Sequence, residues 1–122
     1  MGHKIIIEAV APEEMRLKAY QEDGCGDWFF DPEGNLTVRV AASDIFDDEA
    51  FLVALHELVE AKLCLKRGIT QQMVDDFDQA YDGWGEPGDD QLAPYREPHR
   101  AAMLTEHMVA HFLGITDYGR VE

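Results

Sequence analysis

The stretch that decides the fold lies at residues 48–68 and reads DEAFLVALHELVEAKLCLKRG. Its apolar residues recur every three to four positions, which is the period of an amphipathic helix. Acidic residues open the stretch and Lys66 and Arg67 close it, as the helix dipole favours. Gly68 suits the position just past a helix C-terminus. The pattern predicts a helix from about Asp48 to Arg67.

The residues before this helix have the patterns of strands. The predicted strands are Lys4–Val10, Met15–Gln21, Trp28–Phe30 and Leu36–Ala41, which are either apolar runs, aromatic runs or strict alternations of apolar and polar residues. Segments rich in Gly, Pro and Asp separate the later strands and predict turns. The simplest assembly is a small antiparallel sheet or meander of three to four strands.

Two shorter helices are predicted after the long one, over Gln71–Tyr81 and from about His99 to Leu113. Residues 82–98 between them are rich in Gly, Pro and Asp, which favours a loop. Strands come first and helices follow, so the sequence predicts a single α+β domain over residues 1–122.

The composition narrows the class of protein. The chain has 25 acidic residues against 10 Lys and Arg, a formal net charge of −15. Such a surface repels nucleic acid and anionic membranes, and it favours a cation, a peptide or a basic protein as partner. The N-terminus lacks the pattern of a secretory signal, and no apolar stretch approaches the ~20 residues of a membrane span. Cys25 and Cys64 form no disulfide framework, so we expect a soluble cytoplasmic protein.

The long helix carries three polar residues that indicate a metal site. His56 and Glu60 are four residues apart and therefore project from the same face, and both side chains are ordinary zinc ligands. Glu57 lies beside them, in the place of the general base in the H-E-x-x-H motif of zinc peptidases. The alternative is a solvated polar stripe in which Glu57 and Glu60 face water and pair with Lys62.

A metal site needs at least a third ligand, and the last helix offers candidates. His99 and Glu106 are seven residues apart, so they share a face, and Ala102 between them is small enough to let the two helices approach closely. We predict His99 as the third ligand of a Zn²⁺ ion. Glu106 is either a competing ligand or a carboxylate that hydrogen-bonds to a ligand histidine.

Further candidates lie in the same region. His107 points roughly 100° away from Glu106 around the helix axis. With His111, four residues on, it forms either an alternative pair of ligands or a polar flank near the helix C-terminus, where histidine is favourable. Asp89 and Asp90, in the acidic loop, either orient the histidine ligands or form part of a solvated surface.

Strands followed by an H-E-x-x-E helix and a later helix with a further ligand resemble the minimal zincin-like metallopeptidase domains. The resemblance rests on His56, Glu57, Glu60 and the downstream His99 or Glu106. It implies a zincin-like fold, a zinc ion and peptidase-like hydrolysis with Glu57 as the catalytic base. Glu60 stands where the peptidases have their second histidine.

A second resemblance covers residues 55–113, where HELVEAKLC…RGIT…VDDFD…PGDD…APY…H is similar to a group of small phage and prophage proteins. The leading hypothesis is a small zinc-dependent hydrolase. One alternative is an acidic binding or inhibitor module that mimics nucleic acid and occupies the basic groove of a partner. Another is a phage accessory protein in which His56, Glu57 and Glu60 form a structural polar network.

Overall fold

A computed structural model describes residues 2–14 and 26–118. The predicted strand Met15–Gln21 lies outside the described residues. The described elements, in chain order, are strands β1 (Ile5–Val10), β2 (Gly26–Phe30) and β3 (Leu36–Ala41), helices α1 (Asp48–Arg67) and α2 (Gln71–Ala80), a 3₁₀ turn (Pro87–Asp89) and helix α3 (Arg96–Phe112). This order of a sheet followed by helices confirms the predicted α+β class.

The three strands form one mixed sheet in the order β1-β3-β2. Strand β3 pairs antiparallel with β2, with Trp28 opposite Val38, and parallel with β1, with Ile7 also opposite Val38. The prediction of an antiparallel sheet is therefore wrong for β1. Alternation of apolar and polar residues identifies a strand but carries no information about the direction of its neighbour. A parallel neighbour needs a long connection, and residues 11–35, which include β2, separate β1 from β3.

The core lies between the sheet and α1. The side chains of Leu36, Val38 and Val40 alternate along the central strand and are buried, and α1 packs against both β2 and β3. The buried core also contains Trp28 and the α1 residues Ala50, Val53, Ala54, Ala61 and Cys64. Burial of this apolar face holds the long helix against the sheet, since the hydrophobic effect rewards apolar area removed from water.

Helix α1 has the bounds that the sequence predicts, and both ends are capped. The Asp47 side chain accepts a hydrogen bond from the backbone N–H of Ala50 at the N-terminus. Gly68 follows the helix with φ of 72°, a left-handed conformation that glycine adopts without strain, and the N–H of Ile69 bonds to the carbonyl of Cys64. These caps fix both ends of α1 and therefore fix the positions of its polar residues relative to the core.

Helix α3 begins at Arg96, three residues before the predicted start at His99. Pro98 lies in the first turn of the helix, where a proline costs no hydrogen bond, so its presence did not mark a loop. The helix packs along α1, and Ala102 is fully buried there, as expected of a small residue that permits close approach. Among the described residues, none of the helices combines the length and the hydropathy that a membrane span requires.

Helix α2 is tied to the start of α3 by one polar contact. The Tyr95 hydroxyl donates a hydrogen bond to the Asp78 carboxylate. Burial raises the pKa of Asp78 from 3.8 to about 6; the Tyr95 hydrogen bond opposes this rise and the negative charge of Glu60 adds to it. Ionising Asp78 therefore costs more in the folded chain than in the unfolded chain, and the folded state loses stability as the pH rises from 3.8 to about 6.

Asp78→Asn should remove this cost while keeping an oxygen that accepts from Tyr95. At about pH 8 we expect the variant to be more stable than the parent by about 1 kcal/mol, a value already reduced for solvent screening. At about pH 4, where Asp78 is mostly protonated, the two should be almost equally stable. Urea unfolding in the presence of a chelator measures the difference. The exposed Asp82→Asn removes the same charge and is the control. An equal gain in both variants, or a gain independent of pH, would contradict the assignment.

Candidate metal centre

The structure brings His56, Glu60 and His99 together in the interior. His56 and Glu60 lie one turn apart on α1, and His99 comes from the first turns of α3, which packs across them. The three residues are 1%, 5% and 5% exposed, so the alternative of a solvated stripe, in which Glu57 and Glu60 face water, does not hold for Glu60. One ligand atom of each residue lies within 4.8 Å of the other two, which is a distance at which they can hold one metal ion.

The distances within the cluster centre on one carboxylate oxygen. Glu60 Oε2 lies 3.3 Å from His56 Nε2 and 3.0 Å from His99 Nδ1. In a tetrahedral zinc site, bonds of about 2.0–2.2 Å place neighbouring ligand atoms about 3.3 Å apart. The observed spacings are close to that value. Both spacings to Glu60 Oε2 are thus compatible with a shared metal ion, and the ligand atoms of all three residues lie within 4.8 Å of one another.

Other buried groups hold the outward atoms of two of these residues. His56 Nδ1 lies 2.8 Å from Glu106 Oε1, and Glu60 Oε1 accepts a hydrogen bond of 3.1 Å from the Trp28 indole N–H. These contacts orient both side chains so that His56 Nε2 and Glu60 Oε2 face the cluster. Hydrogen bonds of this kind fix the tautomer and the ring orientation of metal-ligand histidines.

His99 is held by the 3₁₀ turn. The backbone of Gly88 lies against the imidazole so closely that an added Cβ would be 2.6 Å from His99 Cγ. His99 Nε2 is buried and has no hydrogen-bond partner among the described residues; the Asp89 Oδ1 atom lies 3.5 Å away from it. The turn therefore fixes the ring and places a carboxylate next to its outer nitrogen.

Glu106 contacts His56 and lies outside the group of three candidate ligands. Its side chain is completely buried beside His56, where one oxygen contacts His56 Nδ1 and the other accepts a hydrogen bond from the Tyr118 hydroxyl. Nδ1 is on the opposite edge of the ring from Nε2. Glu106 is thus placed to support His56 and lies behind it as seen from the cluster.

Glu57 lies at the edge of the cluster. Its Oε2 is 3.9 Å from His56 Nε2, and its side chain is 13% exposed. The backbone of Gly26 at the start of β2 comes so close that an added Cβ would be 3.0 Å from Glu57 Cγ. The Glu57 side chain therefore packs against the sheet, and its carboxylate lies near His56 Nε2, which is the nitrogen that faces the cluster.

The remaining predicted residues lie away from the cluster or only beside it. His107 is exposed on α3, with its ring centroid 5.2 Å from that of Tyr118. Asp90 accepts a hydrogen bond from the backbone N–H of Leu92 and so stabilises the loop. Asp89 has a side chain that is 54% exposed and touches the cluster only through His99. Cys64 is a fully buried free thiol, as expected of a small core residue.

The pKa of His56 is raised and the pKa of Glu60 is lowered in the folded chain. Burial alone would lower the pKa of His56, but hydrogen bonds to Glu106 and Glu60 outweigh it and raise that pKa well above its ordinary value. Burial alone would raise the pKa of Glu60, yet hydrogen bonds from His56 and His99 lower it. A proton on His56 Nε2 therefore occupies the position where a metal ion would bind, and metal binding must release it.

Sequence reasoning missed three residues that build the site. Trp28, Gly88 and Tyr118 contact Glu60, His99 and Glu106 respectively. Trp28 is 32 residues from Glu60 along the chain, and strand patterns do not reveal such a pairing. The one signal in the sequence was Pro87-Gly88 beside an acidic pair. It predicts a turn but does not show that the turn packs against His99.

Comparison of the chain with protein-family models, with curated proteins and with solved structures gives no match. The zincin-like and phage-protein resemblances therefore stay predictions from the sequence. Function must be argued from the side chains of the site, because a fold by itself does not specify an activity.

Glu106→Ala should destabilise the metal-free protein strongly. Removing this carboxylate takes a hydrogen-bond partner from His56 Nδ1 and from the Tyr118 hydroxyl, while Glu60 remains beside His56. Loss of a buried hydrogen-bond partner costs about 1–3 kcal/mol. Chelator-treated protein unfolded with urea gives the free energy of unfolding. Glu97→Ala on the same helix, where the side chain is 62% exposed, is the control and should cost little. Similar losses for both variants would show that Glu106 does not stabilise the cluster.

Proposed function

We propose that this chain is a zinc-dependent hydrolase in which His56 Nε2, Glu60 Oε2 and His99 Nδ1 hold the ion. The observation that carries the proposal is the buried His-Glu-His group, whose ligand atoms lie within 4.8 Å of one another. Two imidazoles and a carboxylate are a donor set typical of catalytic zinc, which keeps a position open for water or substrate.

The charges around the cluster support a cation at its centre. Four carboxylates, those of Glu57, Glu60, Glu106 and Asp89, lie within 3.9 Å of a ring nitrogen of one of the two histidines. Even two protonated histidines would leave this group negative. Buried charge is costly unless it is paired or coordinates a metal, and a divalent ion compensates it at the point where the carboxylate oxygens and nitrogens converge.

The proposed reaction is hydrolysis at a carbonyl group, such as that of a peptide bond. When bound, a zinc ion supplies Lewis acidity toward water and toward a carbonyl oxygen. Glu57 accepts the proton of the attacking water and delivers it to the leaving group, for which its place beside His56 Nε2 is suited. Glu106 keeps the proton of His56 on Nδ1, so that Nε2 remains a ligand atom.

Zinc should bind with one equivalent per chain and stabilise the fold. At a free zinc concentration of about 100 times Kd, binding adds about 2.7 kcal/mol, which corresponds to roughly 10 °C in Tm for a domain of this size. His56→Ala and Glu60→Ala should each abolish the shift, whereas His107→Ala, which removes an exposed imidazole, should keep it. Elemental content and thermal unfolding of untagged, chelator-stripped protein measure both quantities. Absence of bound zinc together with an unchanged Tm would refute the metal site.

Glu57→Gln should separate binding from catalysis. The variant keeps a side chain of the same size outside the ligand set, so it should retain one zinc per chain and the full shift in Tm. We expect its kcat/KM for 4-nitrophenyl acetate to fall about 100-fold to 10,000-fold, the contribution of a positioned general base. Glu97→Gln is the charge-matched control on an exposed side chain. Equal activity of Glu57→Gln and the parent would mean that the zinc site is structural.

A further inference from the structure

A groove next to the metal centre has the character of an anion site. It has a volume of about 370 Å³ and is lined by Asp89, Arg96, Arg100, Met103 and Leu104. Its walls are thus one face of α3 and the end of the 3₁₀ turn. In a chain with a net charge of −15, this groove brings two arginines together with one lining carboxylate, that of Asp89.

The two arginines are arranged at some energetic cost. Arg96 and Arg100 are one helical turn apart, a spacing at which like charges repel each other. Arg96 Nε is buried and has no hydrogen-bond acceptor in the described part of the chain. The carboxylate nearest to its Nη1 is that of Glu97, 3.9 Å away on an exposed side chain. A buried donor without an acceptor is unfavourable. Because this Nε is shielded from solvent, a ligand in the groove meets the outer Nη groups of the guanidinium, and the Nε–H responds through the same planar group.

The lining indicates the chemistry of that ligand. A guanidinium group presents its N–H donors as a planar fork that matches a carboxylate or a phosphate. Met103 and Leu104 add an apolar wall, which favours an apolar group attached to the anion. The carboxylate of Asp89 at the other end of the groove repels negative charge, so a monoanion fits better than a dianion.

We propose that this groove binds a carboxylate carried on an apolar group, with the carboxylate on Arg96 and Arg100 and the apolar group on Met103 and Leu104. Asp89 connects the groove with the metal centre, because its Oδ1 lies 3.5 Å from His99 Nε2. A ligand in the groove therefore lies beside the cluster. The proposal goes beyond the proposed hydrolase function and does not require a metal ion.

Arginine Nε–H signals in ¹H–¹⁵N spectra test the groove directly. Chelator-treated full-length protein is titrated with N-acetyl-leucine at constant ionic strength, and Arg96→Lys identifies the Arg96 signal by its loss. We expect a saturable shift of the Arg96 signal. The Arg39 signal is the internal control and should not move, because Arg39 Nε already donates to Glu8 on the sheet, at 3.2 Å. N-acetyl-leucine amide, which lacks the carboxylate, should cause no saturable shift.

Arg100→Gln should weaken the binding of N-acetyl-leucine about 10-fold, the effect of losing one charge-assisted contact, without changing the rest of the spectrum. The proposal is overturned if the Arg96 signal moves linearly and no further than with the amide or with added chloride. Tighter saturation by inorganic phosphate than by N-acetyl-leucine would contradict the choice of a carboxylate. Because every arm is measured without metal, these outcomes are independent of whether zinc binds to the cluster.

Discussion

One carboxylate oxygen, Glu60 Oε2, lies at the centre of the candidate metal site. It lies within 3.3 Å of a ring nitrogen of both His56 and His99, so it joins α1 to α3 in the interior. The other oxygen of the same carboxylate accepts from Trp28, which adds the sheet to the connection. The position of Glu60 therefore depends on three elements at once, and the cluster depends on Glu60.

The burial of such a group is not by itself evidence that it stabilises the fold. Buried ionic contacts often contribute no more than well-packed apolar residues of the same volume, because removal of the charges from water offsets their attraction. Glu106 is fully buried behind His56, and a turn is pressed against His99. Together these contacts fix the orientation of both rings, as the proposed ligand set requires.

The sequence was sufficient for those features that depend on local spacing. The apolar period and the terminal glycine predicted α1 within its observed bounds, and the four-residue spacing placed His56 and Glu60 on one face. Small size at Ala102 indicated that α3 could approach α1 closely. The features that could not be predicted depend on contacts between distant segments. They include the parallel pairing of β1, the contact of Trp28 with Glu60 and the choice between two roles for Glu106.

The most direct test of the central claim is anomalous diffraction from crystals of the untagged protein grown with zinc, with data collected on both sides of the zinc absorption edge. The account predicts one strong anomalous peak in the interior, about 2.0–2.2 Å from His56 Nε2, Glu60 Oε2 and His99 Nδ1. An interior without such a peak, with Glu60 still bridging the two imidazoles directly, would contradict it.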